Sequence, residues 1–311
     1  MAAAIVTSSL TKRFPGVTAV DGLTIDVEPG EIFGLVGPDG AGKSTTLRML
    51  AGVLSPDSGT ASVAGFDIVR EPESAKAHLS YMPQRFGLYE DLTVGENIRF
   101  YSDVFDVPRA DREQRAAHLL EAAGMKPFTG RLAGQLSGGM KQKLGLVCAL
   151  IHRPRVILLD EPTNGVDPVS RRDFWGILYG LLDEGIAILM STAYLDEAER
   201  CHRVALLHQG RVLFSDTPSR LKTRIGGTVL SIVSSNPRAV RTELDGADGV
   251  INALLVGDGV HLVVDDGGRR MPELQTRLRQ AGIPFDRLEP VPPTIEDLFV
   301  AATSRDAGRP A

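Results

Sequence analysis

The sequence predicts a mixed α/β fold, with a β-rich opening, a mostly parallel sheet covered by helices, and a small α+β domain at the end. Three observations predict it. Buried strand-like runs ("RVILLDEP", "IAILMST", "RVALLHQGRVLF") alternate with helical patterns at 109–124, 137–151, 168–184 and 195–201. Strands separated by helices of that length pair in parallel and are buried on both faces. The stretch "EIFGLVGPDGAGKST" places a Gly-rich loop between a strand and a helix. Residues 228–300 follow the order β-α-β-β-α-β, which fits a split βαβ domain.

Taken in chain order, residues 1 to 30 carry short alternating segments, "AIVTSSL" and "LTIDVEPG", which read as hairpin strands. From Glu31 the pattern changes to buried strand, loop and helix. Residues 84–136 are helix-rich and lack a core strand, so they read as a helical insertion, with about 85–150 as its wider span. "HLSYMPQ" is the strand before it. After "SDTPSRLKTRIGGT" the texture shifts: "VLSIVSS", the hairpin "VINALLVGDGVHLVVDD" and "FDRLEPV" read as strands, while "PRAVRTELD", "MPELQTRLRQAG" and "TIEDLFVAA" read as helices. The expected boundaries are 1–225 for the first domain, 226–302 for the second, and a disordered tail at 303–311.

Composition narrows the function. A net charge of −5 argues against broad electrostatic binding to nucleic acid. Two cysteines, Cys148 and Cys201, cannot form a disulfide framework, which suits a reducing compartment. The opening "MAAAIVTSSLTKR" has its basic residues after the apolar ones, the wrong order for a signal peptide. No apolar run approaches the roughly 18 residues that span a bilayer; "LGLVCALI" reads as a buried helix.

Three motifs carry chemistry. Gly37, Pro38, Asp39, Gly40, Ala41, Gly42, Lys43, Ser44 and Thr45 have the spacing of a phosphate loop. Glycines let backbone N–H groups face phosphate oxygens, and the helix start adds its positive dipole end. Lys43 would meet the outer phosphates, and Ser44 would offer a hydroxyl to Mg²⁺. "RVILLDEP" delivers Asp160 and Glu161 at the C-terminal edge of a buried strand, where open α/β sheets place ligands. Asp160 would hold Mg²⁺ through water, and Glu161 would orient or deprotonate an attacking water. "LSGGMKQKLGLV" puts Ser137, Gly138 and Gly139 at another helix start, a second anion site. One nucleotide needs one phosphate cradle, so the second suits a nucleotide held by another copy.

With these in order and spacing across about residues 5–220, the chain resembles the ATP-binding cassette (ABC) subunits of ABC transporters. The resemblance implies a P-loop NTPase fold, ATP and Mg²⁺ as ligands, ATP hydrolysis coupled to transport, a second cassette closing head to tail, and membrane-spanning permease subunits docked near residues 85–105. It implies a cytoplasmic place on the inner face of the cell membrane and no nucleic-acid partner. By matching motif, Phe14 in "LTKRFPG" resembles the aromatic that stacks on adenine. Gln84 in "YMPQRF" resembles the glutamine that touches Mg²⁺ and links the site to the insertion. Asp167 in "TNGVDP" resembles the dimer-contact aspartate. "PPTIEDLF" resembles the closing segment of accessory domains in ABC-2 type exporters, including the daunorubicin-resistance group, and implies export.

Two positions depart from the family pattern. Met140 stands where a glutamine is usual. Family members read Ser-Thr-His where this chain has Ser191-Thr192-Ala193, and that histidine meets the γ-phosphate and the attacking water. The loss implies a weak site on this chain's own residues, paired with a second cassette whose histidine is intact and which does most of the hydrolysis, or a homodimer that tolerates the change. His202 is the nearest histidine in sequence but would lie roughly 12 Å along a helix. His78, His118, His152, His208 and His261 lack ligand spacing. Two rival classes remain: a soluble regulatory cassette that uses ATP as a switch, and an unrelated P-loop kinase or GTPase. The first generally carries two cassettes and basic surfaces; the second has no use for the "LSGG" helix.

Overall fold

Residues 2–307 are described in the structure, a computed structural model, with side chains described as far as Thr303. The chain opens with β1 (Ile5–Phe14), β2 (Val17–Leu23) and β3 (Asp26–Val27), followed by β4 (Ile32–Val36) and α1 (Lys43–Leu50). Then come β5 (Ser58–Val63), β6 (Phe66–Asp67), α2 (Pro72–His78) and β7 (Leu79–Met82). The insertion contributes α3 (Val94–Val104), α4 (Arg109–Ala122) and α5 (Gly138–Leu150). The body resumes with β8 (Val156–Asp160), α6 (Pro168–Leu182), β9 (Ala187–Thr192), α7 (Leu195–Ala198), β10 (Arg203–His208) and β11 (Arg211–Asp216). The last stretch is α8 (Pro218–Lys222), β12 (Thr228–Val233), α9 (Pro237–Leu244), β13 (Val250–Val256), β14 (Gly259–Val264), α10 (Gly267–Gln280), β15 (Arg287–Pro290) and α11 (Ile295–Ala307).

The central sheet has the order β11-β10-β4-β9-β8-β7. The four pairings from β10 through β7 are parallel. Every residue of β4, β8 and β9 is buried, as expected for strands covered on both faces. A second, antiparallel sheet of order β2-β1-β5-β6, with β3 on β1, packs against it. Their shared core contains Ile5, Leu10, Phe33, Leu35, Leu47, Leu50, Val63, Leu158 and Leu189. β5 and β6 are strands that the sequence reading did not single out; the short alternating run "GTASVAG" is their only local signal. Because β4, β8 and β9 run in parallel, their C-terminal ends converge on one edge, and the chemistry collects there.

The insertion is helical over α3, α4 and α5, with two 3₁₀ turns before α5. Thr93 starts α3 with a reciprocal capping box: its hydroxyl accepts from Glu96 N, and Glu96 accepts from Thr93 N. Asp167 caps α6 by accepting from Val169 N and Ser170 N, with Pro168 at the first helical position.

By internal packing the chain forms two units. One runs up to Tyr194 and adds Cys201–Val212; the other comprises Leu195–Arg200 and the chain from Leu213 on. This moves the expected division from 225/226 to 212/213 and assigns α7 to the second unit. The reason is tertiary: α7 and α8 both pack on α11, which sequence proximity does not announce. Within the second unit the sheet order is β13-β14-β12-β15 with every pairing antiparallel, the split βαβ arrangement. Leu230, Ile232, Val240, Leu244, Leu262, Leu274 and Leu278 fill one side. Val229, Val263 and Ala301 form a second cluster. The segment expected to be a disordered tail is corrected in part, since α11 continues to Ala307. Residues 308–311 lie outside the described residues.

Candidate functional site

The phosphate loop follows β4 and ends at Gly42, the N-cap of α1, with φ of 101°. That left-handed backbone favours glycine. A side chain at Gly42 would strike the Ala19 carbonyl, and one at Gly37 the Leu207 carbonyl, so the loop is a cradle that a Cβ would fill. Lys43 is only 4% exposed. Its Nζ donates to Gly37 O at 2.8 Å and Pro38 O at 3.0 Å, which aims the ammonium back across the cradle. Phe14 (44% exposed) stands at the mouth of a cleft of about 580 Å³ that Asp39, Gly40, Ala41, Gly42, Lys43, Ser44, Thr45 and Glu161 also line. The size and lining fit a nucleotide.

β8 ends in Asp160, 2% exposed and crowded with donors. Oδ1 accepts from Ser44 Oγ at 2.8 Å and Ser191 Oγ at 2.7 Å, while Oδ2 accepts from Tyr81 at 3.3 Å. Burial, and then the Asp160 charge, raise the Tyr81 phenol above its ordinary range, so it stays a donor. A hydroxyl, a carboxylate and the carbonyl of a nearby amide are hard oxygen donors, the set that Mg²⁺ prefers. Ser44, Asp160 and Gln84 therefore fit that ion.

Glu161 follows with φ of 47°, left-handed for a residue with a side chain. Such a backbone costs about 1–2 kcal/mol and persists only where its surroundings hold it. Here the Glu161 N–H donates to Ser191 Oγ at 2.9 Å and to Ser191 O at 3.2 Å. The twist turns the carboxylate toward the phosphate loop. Oε1 lies 3.2 Å from Lys43 Nζ, and Oε2 accepts from Gln84 Nε2 at 3.0 Å and Asn164 Nδ2 at 3.2 Å.

The structure thus brings Lys43, Ser44, Gln84, Asp160 and Glu161 together at one sheet edge. It does not bring Ser137, Gly138, Gly139 or Asp167 into that cleft. Ser137 caps α5, its hydroxyl accepting from Met140 N at 3.3 Å. Gly138 is exposed, and Gly139 packs so tightly on Ser170 that any side chain would collide. Hydrogen bonds from Ser170 N and Val169 N hold the Asp167 carboxyl below its ordinary range. Gly139 therefore has a packing duty within the chain.

Ala193, exposed, lines a smaller cavity of about 210 Å³ with Asp39, Glu161, Asn164, Thr192 and Tyr194. His202 cannot fill it: its N–H and Nδ1 bond the carbonyl and N–H of Ile32, at the far end of β4 from the loop. It sits just before β10 rather than along a helix. Sequence reasoning missed Ser191, Tyr81 and Asn164, which hold the two carboxylates. Their only signal was placement beside the motifs.

In the second unit, Asp297 of "PPTIEDLF" is 1% exposed. It accepts from Thr294 N and Thr294 Oγ1, each at 2.8 Å, and pairs with His261 Nδ1 at 3.1 Å. Burial opposes the charge, but those bonds outweigh it and keep the Asp297 carboxyl below its ordinary range. The motif therefore contains a buried structural clamp.

Comparison with known proteins matches this geometry. Residues 20–164 match the family model described as ABC transporter. The chain is 45% identical over 304 residues to the probable multidrug ABC transporter ATP-binding protein YbhF of Escherichia coli (strain K12), covering 96% of this chain and 52% of that one. The chain thus spans about half the length of that relative. It is 38% identical over 306 residues to the Nod factor export ATP-binding protein I of Paraburkholderia xenovorans, covering 98% of each. It is 40% identical over 230 residues to the daunorubicin/doxorubicin resistance ATP-binding protein DrrA of Streptomyces peucetius, covering 74% of this chain and 70% of that one. Among solved structures, an ATP-binding subunit of an ABC transporter superposes with a TM-score of 0.65 at 30% identity, covering 72% of this chain and 93% of that one. A dimeric bacterial ABC transporter cassette gives 0.62 at 25% identity, covering 68% and 98%. With the motifs, the P-loop α/β fold and a relative matched along nearly its whole length, this chain belongs to the ABC transporter ATP-binding protein family.

Proposed function

We propose that the chain binds ATP with Mg²⁺ and hydrolyses it to drive a membrane exporter. The observation that carries this reading is the convergence of Lys43, Ser44, Gln84, Asp160 and Glu161 at one sheet edge. Lys43 would leave Glu161 and the loop carbonyls to meet the outer phosphates. Ser44 and Asp160 would hold the cation, and the Gln84 side chain, now on Glu161, would turn its carbonyl to the same ion. Bound Mg²⁺ would neutralise phosphate charge there. Glu161 would then orient the attacking water and accept its proton.

A second cassette is part of the proposal. Ser137, Gly138 and Asp167 are exposed and outside this chain's own cleft, which supports their facing a nucleotide held by a partner. The dimeric form of one solved relative supports the same reading. Export rather than uptake is supported by the relatives named as a probable multidrug ABC transporter protein, a Nod factor export protein and a daunorubicin/doxorubicin resistance protein. The described residues contain no helix long and apolar enough to cross a membrane, so the permease would be a separate segment or chain. Its docking surface would be the aromatic face near the start of the insertion, where Tyr89, Phe100 and Phe105 are exposed. The chain would then sit at the inner face of the cell membrane, and residues from 213 on would form an accessory domain. A tagged chain should co-purify with membrane proteins and show Mg²⁺-dependent ATPase activity. Full ATP affinity in Lys43→Ala would overturn the proposal.

A further inference from the structure

Among the described residues, Glu161 has three side-chain donors, and they differ in what else they must do. Lys43, on Oε1, would be claimed by phosphate. Gln84, on Oε2, would be claimed by the cation. Asn164, 3.2 Å from Oε2, has no second duty toward the nucleotide. Its amide is oriented from the other side: Nδ2 donates to Glu161, while Oδ1 accepts from the Tyr194 hydroxyl at 3.4 Å. Tyr194 is held in turn. The Arg171 guanidinium lies over its ring at 4.4 Å, and its N–H donates to Thr192 Oγ1 at 3.0 Å. Tyr194, Asn164 and Glu161 all line the cavity that Ala193 leaves open.

We propose that Tyr194 is a positioning residue for Glu161, acting through the Asn164 amide and steadied by Arg171. This relay fixes the direction of the carboxylate once Lys43 and Gln84 turn to the nucleotide and its cation, and it works beside Ala193, which offers no side-chain donor of its own. The hydrogen bonds run one way, hydroxyl to carbonyl and N–H to carboxylate, so each polarises the next. The Tyr194 link is the longest, as catalytic hydrogen bonds often are before substrate is bound. The proposal rests on the reading of Glu161 as the group that handles the attacking water.

The test compares Tyr194→Phe, Asn164→Ala, the double variant and Glu161→Gln in the full chain, measuring kcat, KM for Mg-ATP and thermal midpoint. Tyr194→Phe keeps the ring over Arg171 and removes only the hydroxyl. The relay predicts a kcat loss of about tenfold in Tyr194→Phe, since small misplacements of a catalytic group are costly. ATP affinity should stay within about twofold, because the lost contact serves turnover rather than binding. The double variant should be no slower than Asn164→Ala alone, as for residues in one chain of contacts. Unchanged kcat in Tyr194→Phe, additive losses in the double variant, or a matching loss of ATP affinity would each overturn the relay. Failure of the functional reading looks different: the wild-type chain would bind ATP without hydrolysis, or Glu161→Gln would turn over like wild type.

Discussion

β8 and β9 are neighbours in one sheet, run in parallel, and finish at the same edge, yet they deliver opposite things. β8 ends in Asp160 and Glu161, whose four carboxylate oxygens are all occupied by donors from six different residues. β9 ends in Thr192 and hands over to an exposed methyl at Ala193. What β9 contributes comes one step earlier, from Ser191. That hydroxyl donates to Asp160 and accepts from the Glu161 N–H, so β9 serves as the scaffold for its neighbour's chemistry. The difference teaches that the carboxylate pair can be fully built while the contact expected opposite it is missing. Phosphate binding and carboxylate placement are separable from the donor at position 193.

Changes at the β8 end should hurt most. Glu161→Gln keeps the shape and most of the hydrogen bonding but removes the base. Turnover should fall by about 100-fold or more while ATP stays bound and a closed dimer accumulates. Phosphate release at the wild-type rate would break the comparison at its stronger side. Lys43→Ala should weaken ATP binding by about 10- to 100-fold, the worth of a charge-assisted contact to phosphate. Equilibrium titration with a fluorescent ATP analogue would measure it.

The link between the two ends comes next. Ser191→Ala removes the donor to Asp160 and leaves Glu161 N with only the Ser191 carbonyl to hold its left-handed turn. We expect a loss of about 1–3 kcal/mol in unfolding free energy, read by denaturant titration, together with slower turnover. Wild-type stability and rate would mean that β9 does not support the carboxylates.

The smallest effect belongs to the β9 end. Restoring a side-chain donor with Ala193→His should raise turnover. The gain should be smaller than the roughly 100-fold that a single donor can supply in sites with nothing in its place. Brisk ATPase in the unmodified chain, with no gain from histidine, would show that position 193 no longer matters in this protein.

The cassette was legible because its signals are local. A phosphate loop is read from nine consecutive residues, Gly37 to Thr45, and its geometry follows from glycine backbone freedom and the start of one helix. Asp160 and Glu161 were legible as the polar end of an apolar run. Their supports were not. Ser191, Tyr81 and Asn164 reach the carboxylates from β9, β7 and the turn after β8, and nothing in their own neighbourhoods sets them apart. Gly139 shows the reverse case, where a residue that reads as part of an anion site also carries a tight packing contact with Ser170.

By itself the sequence determined the α/β class, most of the strands and helices though not β5 and β6, the phosphate loop, the carboxylate pair and the absence of a histidine at position 193. Each of these depends on residue type and short spacing. Only the tertiary structure decided which donors fill the oxygens of Asp160 and Glu161, that His202 lies at the wrong end of β4, and that Leu195–Arg200 pack with the second unit. Those facts depend on which strands become neighbours and which helices share a core. Pairing of that kind joins residues far apart in the chain, and local pattern does not encode it.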